Sequence, residues 1–155
     1  MTASVRKQIV DMAITQINTS APVGVPAAND TRLESYQPSE LPAITVFEIR
    51  EEGESEKESR WGYFVKRTFT LRIEIRVASD SDTVSAREAI DPIYVWVAQQ
   101  TASAYNAQAF GGLAESCYET LLEWQYADSD QGYTLLQIDF RVEYSTLRND
   151  PTRTQ

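Results

Sequence analysis

The stretch "RTFTLRIEIRV", Arg67–Val77, alternates an apolar residue with a polar or charged one along its whole length. A β-strand sends successive side chains to opposite faces, so Phe69, Leu71, Ile73, Ile75 and Val77 are expected on one side of a sheet and Thr68, Thr70, Arg72, Glu74 and Arg76 on the other. One side reads as core and the other as wet, or as a polar contact with another copy of the chain. Counted from Tyr63 the strand approaches about 16 residues and about 50 Å, well beyond the usual five or six residues, so part of it is expected to protrude as a long β-hairpin arm.

Working upstream, Glu51, Glu52, Glu54, Glu56, Lys57, Glu58 and Arg60 surround Gly53 without one apolar residue, which predicts an exposed acidic hairpin tip over 51–60. "LPAITVFEIR", Leu41–Arg50, is β-branched and aromatic after Pro42 and reads as the first strand. Pro22, Gly24 and Pro26 fall in a stretch, 19–40, expected to be a long loop. Before it, Val5, Ile9, Met12, Ala13, Gln16 and Ile17 recur at spacings of three and four, the stripe of an amphipathic helix that Thr2 or Ser4 would cap.

Downstream, Val84, Ile90, Ile93, Tyr94 and Val97 predict a second helix, kinked or restarted at Pro92 and ended before Gly111 and Gly112. "SCYETLLEWQY" and "YTLLQIDFRVEY" both alternate, and "ADSDQG" between them supplies turn residues, so they read as a hairpin. Residues 147–155 offer nothing to bury and read as a flexible tail. The order predicts an α+β fold: a largely antiparallel sheet of about four strands, with two main helices packed on one face.

The length of 155 residues suits a single domain, 1–155, and the 42% apolar fraction suits a globular one. No stretch is apolar for long enough to cross a bilayer, and Asp11 interrupts the first helix before a signal core forms, so no membrane contact and a cytoplasmic chain are expected. Cys117 stands alone and reads as a small, half-buried strand residue. Fourteen Lys and Arg against 23 Asp and Glu give a net charge of −9, which disfavours a general phosphate-binding surface.

The chain contains no histidine, which removes the commonest general base and metal ligand and every imidazole-dependent triad. There is no phosphate-cradling glycine motif, and "FGGL", Phe110–Leu113, reads as a loop. A metal-dependent carboxylate centre from Glu74, Asp139 and Glu143 is formally open, although alternating acids are also what the wet face of a sheet carries. The two "DSD" runs, Asp80–Asp82 and Asp128–Asp130, lack the rest of a calcium loop and read as caps and turns. Trp96 and Trp124 read as core or subunit-contact residues. The expectation is therefore no catalytic residue, no metal and no cofactor.

"ELPAITVFE" at Glu40–Glu48, the charged tip followed by "RTFTLRIEIRV", "AREAIDPIY" at Ala86–Tyr94 and the hairpin "YADSDQGYTLLQIDFRVEY" at Tyr126–Tyr144 together resemble the tail terminator proteins of long-tailed bacteriophages. The resemblance runs through the whole chain in order and rough spacing. It implies a non-enzymatic virion protein, assembled in the host cytoplasm as a homo-hexameric ring on the tail tube. Such a ring stops tube polymerisation and meets the head-completion proteins, and DNA passes through it without specific binding. Its contacts are expected at Glu51, Glu52, Glu54, Glu56, Glu58 and Arg60 on the tip and at Arg72, Glu74 and Arg76 on the long strand. Other head-tail joining proteins, such as connectors or tail-completion factors, share this profile, and a peptide-binding module working through an edge strand is a third possibility.

Overall fold

The computed structural model describes residues 2–31, 36–54, 64–78, 83–102, 109–126, 132–147 and 150–154. Helix α1 spans Val5–Asn18, opened by the Ser4 side chain, which accepts from the Lys7 amide at 3.3 Å. Strands β1 (Ala28–Asp30), β2 (Ala43–Glu54) and β3 (Phe64–Ala78) follow. Helix α2 covers Thr83–Thr101, and β4 (Ser116–Gln125), β5 (Tyr133–Leu147) and β6 (Asp150–Thr154) complete the chain. Helix α2 is continuous through Pro92 rather than starting anew there, with Ala86, Ile90, Ile93 and Val97 buried along one stripe.

The strands form one six-stranded sheet in the order β1-β2-β3-β5-β4, with β6 also paired to β5. The sheet is mixed, because β1 runs parallel to β2 while all other pairs are antiparallel. It exceeds the expected four strands because β1 lies inside the stretch read as a loop and β6 inside the stretch read as a tail. Both are short and mostly polar; main-chain pairing to a neighbour orders them, helped in β1 by burial of Ala28 in the core and by the Asn18 side chain, which accepts from the Ala28 amide at 2.7 Å.

The expected alternation of β3 is observed: Phe69, Leu71, Ile73, Ile75 and Val77 are buried, and so are Leu136, Ile138, Phe140, Val142 and Tyr144 of β5. These join Val5, Ile9, Ala13 and Ile17 of α1 and the buried stripe of α2 in one core. Trp96 ties the two helices, its indole donating to the Ile17 carbonyl at 2.9 Å.

Two expectations about the long strand are corrected. Every residue of β3 from Phe64 to Ala78 pairs with β5, itself 15 residues long, so β3 is not a free arm among the described residues. Pairing with β2 continues to Glu54–Lys66, which places Glu51, Glu52 and Glu54 in the sheet rather than in a loop. Gly53 breaks neither strand because the partner strand supplies its hydrogen bonds. Glu56, Glu58 and Arg60 lie outside the described residues.

Candidate functional site

The helices cover one face of the sheet, and the other carries the polar half of each alternation. The candidate surfaces are this open face and the two edges.

On the open face, Arg72 of β3 grips Asp139 of β5 through two hydrogen bonds, Nε to Oδ1 at 2.8 Å and Nη2 to Oδ2 at 3.0 Å. The strands are in register there, Arg72 directly opposite Asp139, so the planar fork meets the carboxylate with both prongs. That hydrogen bonding holds the Arg72 guanidinium above its ordinary value, against the lowering effect of burial. Arg76 pairs with Glu74 and lies between two aromatic rings, 5.1 Å from the centroid of Tyr36 and 5.5 Å from that of Tyr133. Tyr36 in turn hydrogen-bonds Thr45 of β2. This end of the face is therefore tiled by the chain's own polar side chains, and Thr45, Gln137 and Asp139 are buried without a helix above them.

These contacts answer the carboxylate-centre expectation. Glu74 sits opposite Gln137, Asp139 opposite Arg72 and Glu143 opposite Thr68, so the three acids are spread along the sheet. Six residues of strand separate Glu74 from the level of Glu143, about 20 Å. Each also has a partner: Arg76 for Glu74, Arg72 for Asp139, and Arg141 and Ser116 for Glu143. Among the described residues, no three acids, cysteines or histidines group as a metal site.

Further along the open face lies a shallow groove of about 270 Å³, bordered by Arg50, Glu52, Thr68, Thr70, Thr120 and Arg141. Arg50 and Arg141 flank Thr70 in neighbouring strands. Their ion pairs, to Glu52 at 2.7 Å and to Glu143 at 3.4 Å, leave both guanidinium groups substantially in water. Sequence reading missed both arginines because each looks like one more charge on a wet face.

On the helix side the base of the β2–β3 pair is locked to α1. Arg6 lies 2.5 Å from Glu48 and also pairs with Glu51, which accepts from the Tyr144 hydroxyl and stands 3.9 Å from Arg67. Burial would lower Arg6, but the two carboxylates outweigh it and hold the group above its ordinary value. Burial first, and then the bond to Glu51, push the Tyr144 phenol well above its usual range. Glu51, expected on an exposed tip, is instead the hub of a half-buried network.

The two edges differ from the face. A bulge between Glu48 and Arg50 leaves Ile49 unpaired and 46% exposed, beside a recess of about 130 Å³ formed with Arg6, Glu48 and Phe69. A second bulge, between Glu119 and Leu121, shifts the alternation of β4 by one. As a result Cys117 turns fully into the core, where burial pushes its thiol up to about 12, and Tyr118 turns outward. Cys117, read from sequence as half-buried, is thus fully buried. Tyr118, Leu121 and Leu122 are exposed together on this edge, with Tyr126 just past it. Trp124 is partly buried against the core and stacks on Tyr126 at 6.1 Å.

No protein-family model and no curated protein matches the chain. Among solved structures, the fold is similar to that of a chain from the virion of a native gene transfer agent particle, with a TM-score of 0.50 and 9% identity over 92% of each chain. At that identity the likeness defines the class of fold, two helices on a mixed sheet. Among the described residues no helix is long and apolar enough to cross a membrane.

Proposed function

We propose that this chain is a structural subunit of a phage-like particle, and within it the tail terminator: a ring seated on the last ring of the tail tube that blocks further growth and presents its other side to the head-completion protein. One observation carries the reading: the fold is shared over 92% of both chains with a component of a gene transfer agent virion. The segments from Glu40 to Tyr144 that resemble tail terminators support the finer assignment. The mechanism needs no bond-making centre. Subunits that present two unlike patches add head to tail until rotation closes the ring, and closure limits the count.

In this reading the far end of the β2–β3 pair, with Glu52, Glu54 and the following Glu56, Glu58 and Arg60, meets the tube, while the network around Glu51 fixes the direction in which that end points. Arg72, Glu74 and Arg76 stiffen the open face through their partners there. The exposed Arg50 and Arg141 are cations on the open face available to meet acidic neighbours. DNA passes through the bore without specific contacts, in keeping with the net charge of −9.

The test is electron microscopy of the purified protein mixed with isolated tail tubes. Rings capping tube ends are expected. Attachment to the head portal alone would move the assignment to another head-tail joining protein, and attachment to neither would end it. Removal of residues 55–60 should leave the fold intact and give overlong tails, and tails of normal length would sink the role given to that end.

A further inference from the structure

Three arginines occupy neighbouring rows of the open face, and they are held differently. Arg72 is locked to Asp139 by two hydrogen bonds. Arg50 and Arg141 stand in the next row, one on each side of Thr70, and that row runs Arg50, Thr70, Arg141, Tyr118 across β2, β3, β5 and β4. Strand spacing puts the two arginine backbones about 10 Å apart with one short side chain between them, so the row is a slot with a guanidinium on each wall. It lies in the groove of about 270 Å³, whose lining holds these two arginines against a single acid, Glu52. The volume is room for several waters or for one acidic side chain.

We infer that this slot is a carboxylate seat, in which Arg50 and Arg141 close from both sides on one Asp or Glu side chain of a protein neighbour. The Arg50 side chain is 75% exposed and that of Arg141 48%, against 27% for Arg72. Their present partners lie two residues along their own strands, Glu52 at 2.7 Å and Glu143 at 3.4 Å. Exposed pairs of this kind contribute little, because water solvates both ends nearly as well. Glu143 keeps the Ser116 hydroxyl, which donates to it at 3.0 Å, and Glu52 is itself mostly in water. Both guanidinium groups are therefore able to turn to a carboxylate lying over Thr70, where two cationic forks grip it together.

The surroundings select a protein side chain over a polyanion. A chain of net charge −9 repels a string of phosphates, whereas a single carboxylate needs only the local pair of cations. Beyond Arg141 the row ends at Tyr118, and Leu121 stands opposite Asp139 on the same face; both are exposed. Thr70 and Tyr118 are two strands apart, about 10 Å, the span of about three residues of extended chain. The ligand class is therefore a peptide segment that sets an acid over Thr70 and an apolar side chain, about three positions away, on Tyr118 and Leu121. The seat deepens the particle-subunit reading and rests on it for the presence of such a neighbour, while the chemistry of the seat belongs to the isolated protein.

Thr70→Glu builds a carboxylate into the slot and tests it without any partner. This variant should melt roughly 1–4 °C above Thr70→Gln, and the gap should close in 1 M salt and in a background carrying Arg50→Gln and Arg141→Gln. A Thr70→Glu variant that melts at or below Thr70→Gln would overturn the seat, since both guanidinium groups would then be committed to Glu52 and Glu143. In the unsubstituted protein, the side-chain N–H signals of Arg50 and Arg141 are followed by NMR while three probes are titrated to millimolar concentration: a capped Glu-Ser-Ser-Leu peptide, its Gln-Ser-Ser-Leu counterpart and inorganic phosphate. Joint, saturating shifts with the Glu peptide are expected, with Arg72 unmoved and the Gln peptide roughly three- to tenfold weaker. A Gln peptide that binds equally well would overturn the role of the carboxylate, and phosphate binding tighter than the Glu peptide would overturn the choice of a protein neighbour. Glu-peptide binding by a protein that leaves tail tubes uncapped would keep the seat and discard the tail role.

Discussion

β4 and β5 are neighbours whose sequences both alternate, yet one is surface and the other core. From Thr134 to Phe140 every residue of β5 is buried on both faces, whereas in β4 only Cys117 is. The difference lies in position: β5 is flanked by β3 along its whole length and by β4 and β6 on the other side, with helices below and the Arg72–Asp139 lattice above. Alternation thus records that a segment is a strand, and its neighbours decide whether that strand holds the fold or offers itself for contact.

The sharpest way to break this contrast is truncation. Phe140→Ala should cost about 3–5 kcal/mol in chemical denaturation, because a buried ring leaves a cavity. Next, Asp139→Ala should cost about 1–3 kcal/mol by stranding Arg72 on a half-buried face; a loss under about 0.5 kcal/mol would mean that the open face is simply wet.

A third test uses the one place where β4 behaves like β5. Cys117 is raised from 9.0 to about 12 in the fold. Its neutral form is favoured there, so its contribution is complete below its unfolded value and is lost as pH climbs through 9 toward 12. Stability should fall by about 1 kcal/mol by pH 10 on this account. Tyr144, raised in the same direction, adds to the loss at higher pH. Melting curves of Cys117→Ala should show a shallower alkaline decline than the parent, and identical slopes would contradict the burial argument.

Smallest of all, Leu122→Ala should cost under about 1 kcal/mol in the monomer, and Arg50→Ala should stay within about 0.5 kcal/mol. Losses as large as that for Phe140 would erase the distinction between the strands.

The helices and the long strands were legible because each buries a single face, and periodicity of 3.6 or 2 is the direct imprint of that. β1 and β6 were not, since "AND" and "DPTRT" carry no apolar rhythm and are ordered mainly by pairing to a neighbour. Nor were the bulges, which are set by what the partner strand can match. The candidate surface was the least legible part. Arg72 meets Asp139 across 67 positions and Arg6 meets Glu51 across 45, distances over which a single chain gives no local cue. Charges placed on a wet face in the sequence reading are in several cases bound to one another, and the exposed apolar cluster of β4 uses the same residue types as the core.

The two bulges also bear on how this gene can change length. On either side of Thr120 and of Ile49 every other residue already matches its partner as it would in an uninterrupted ladder. Loss of either codon would therefore leave all remaining pairings and side assignments in place. Such an in-frame deletion is costly almost anywhere else in a strand; here it straightens the chain locally and spares the core.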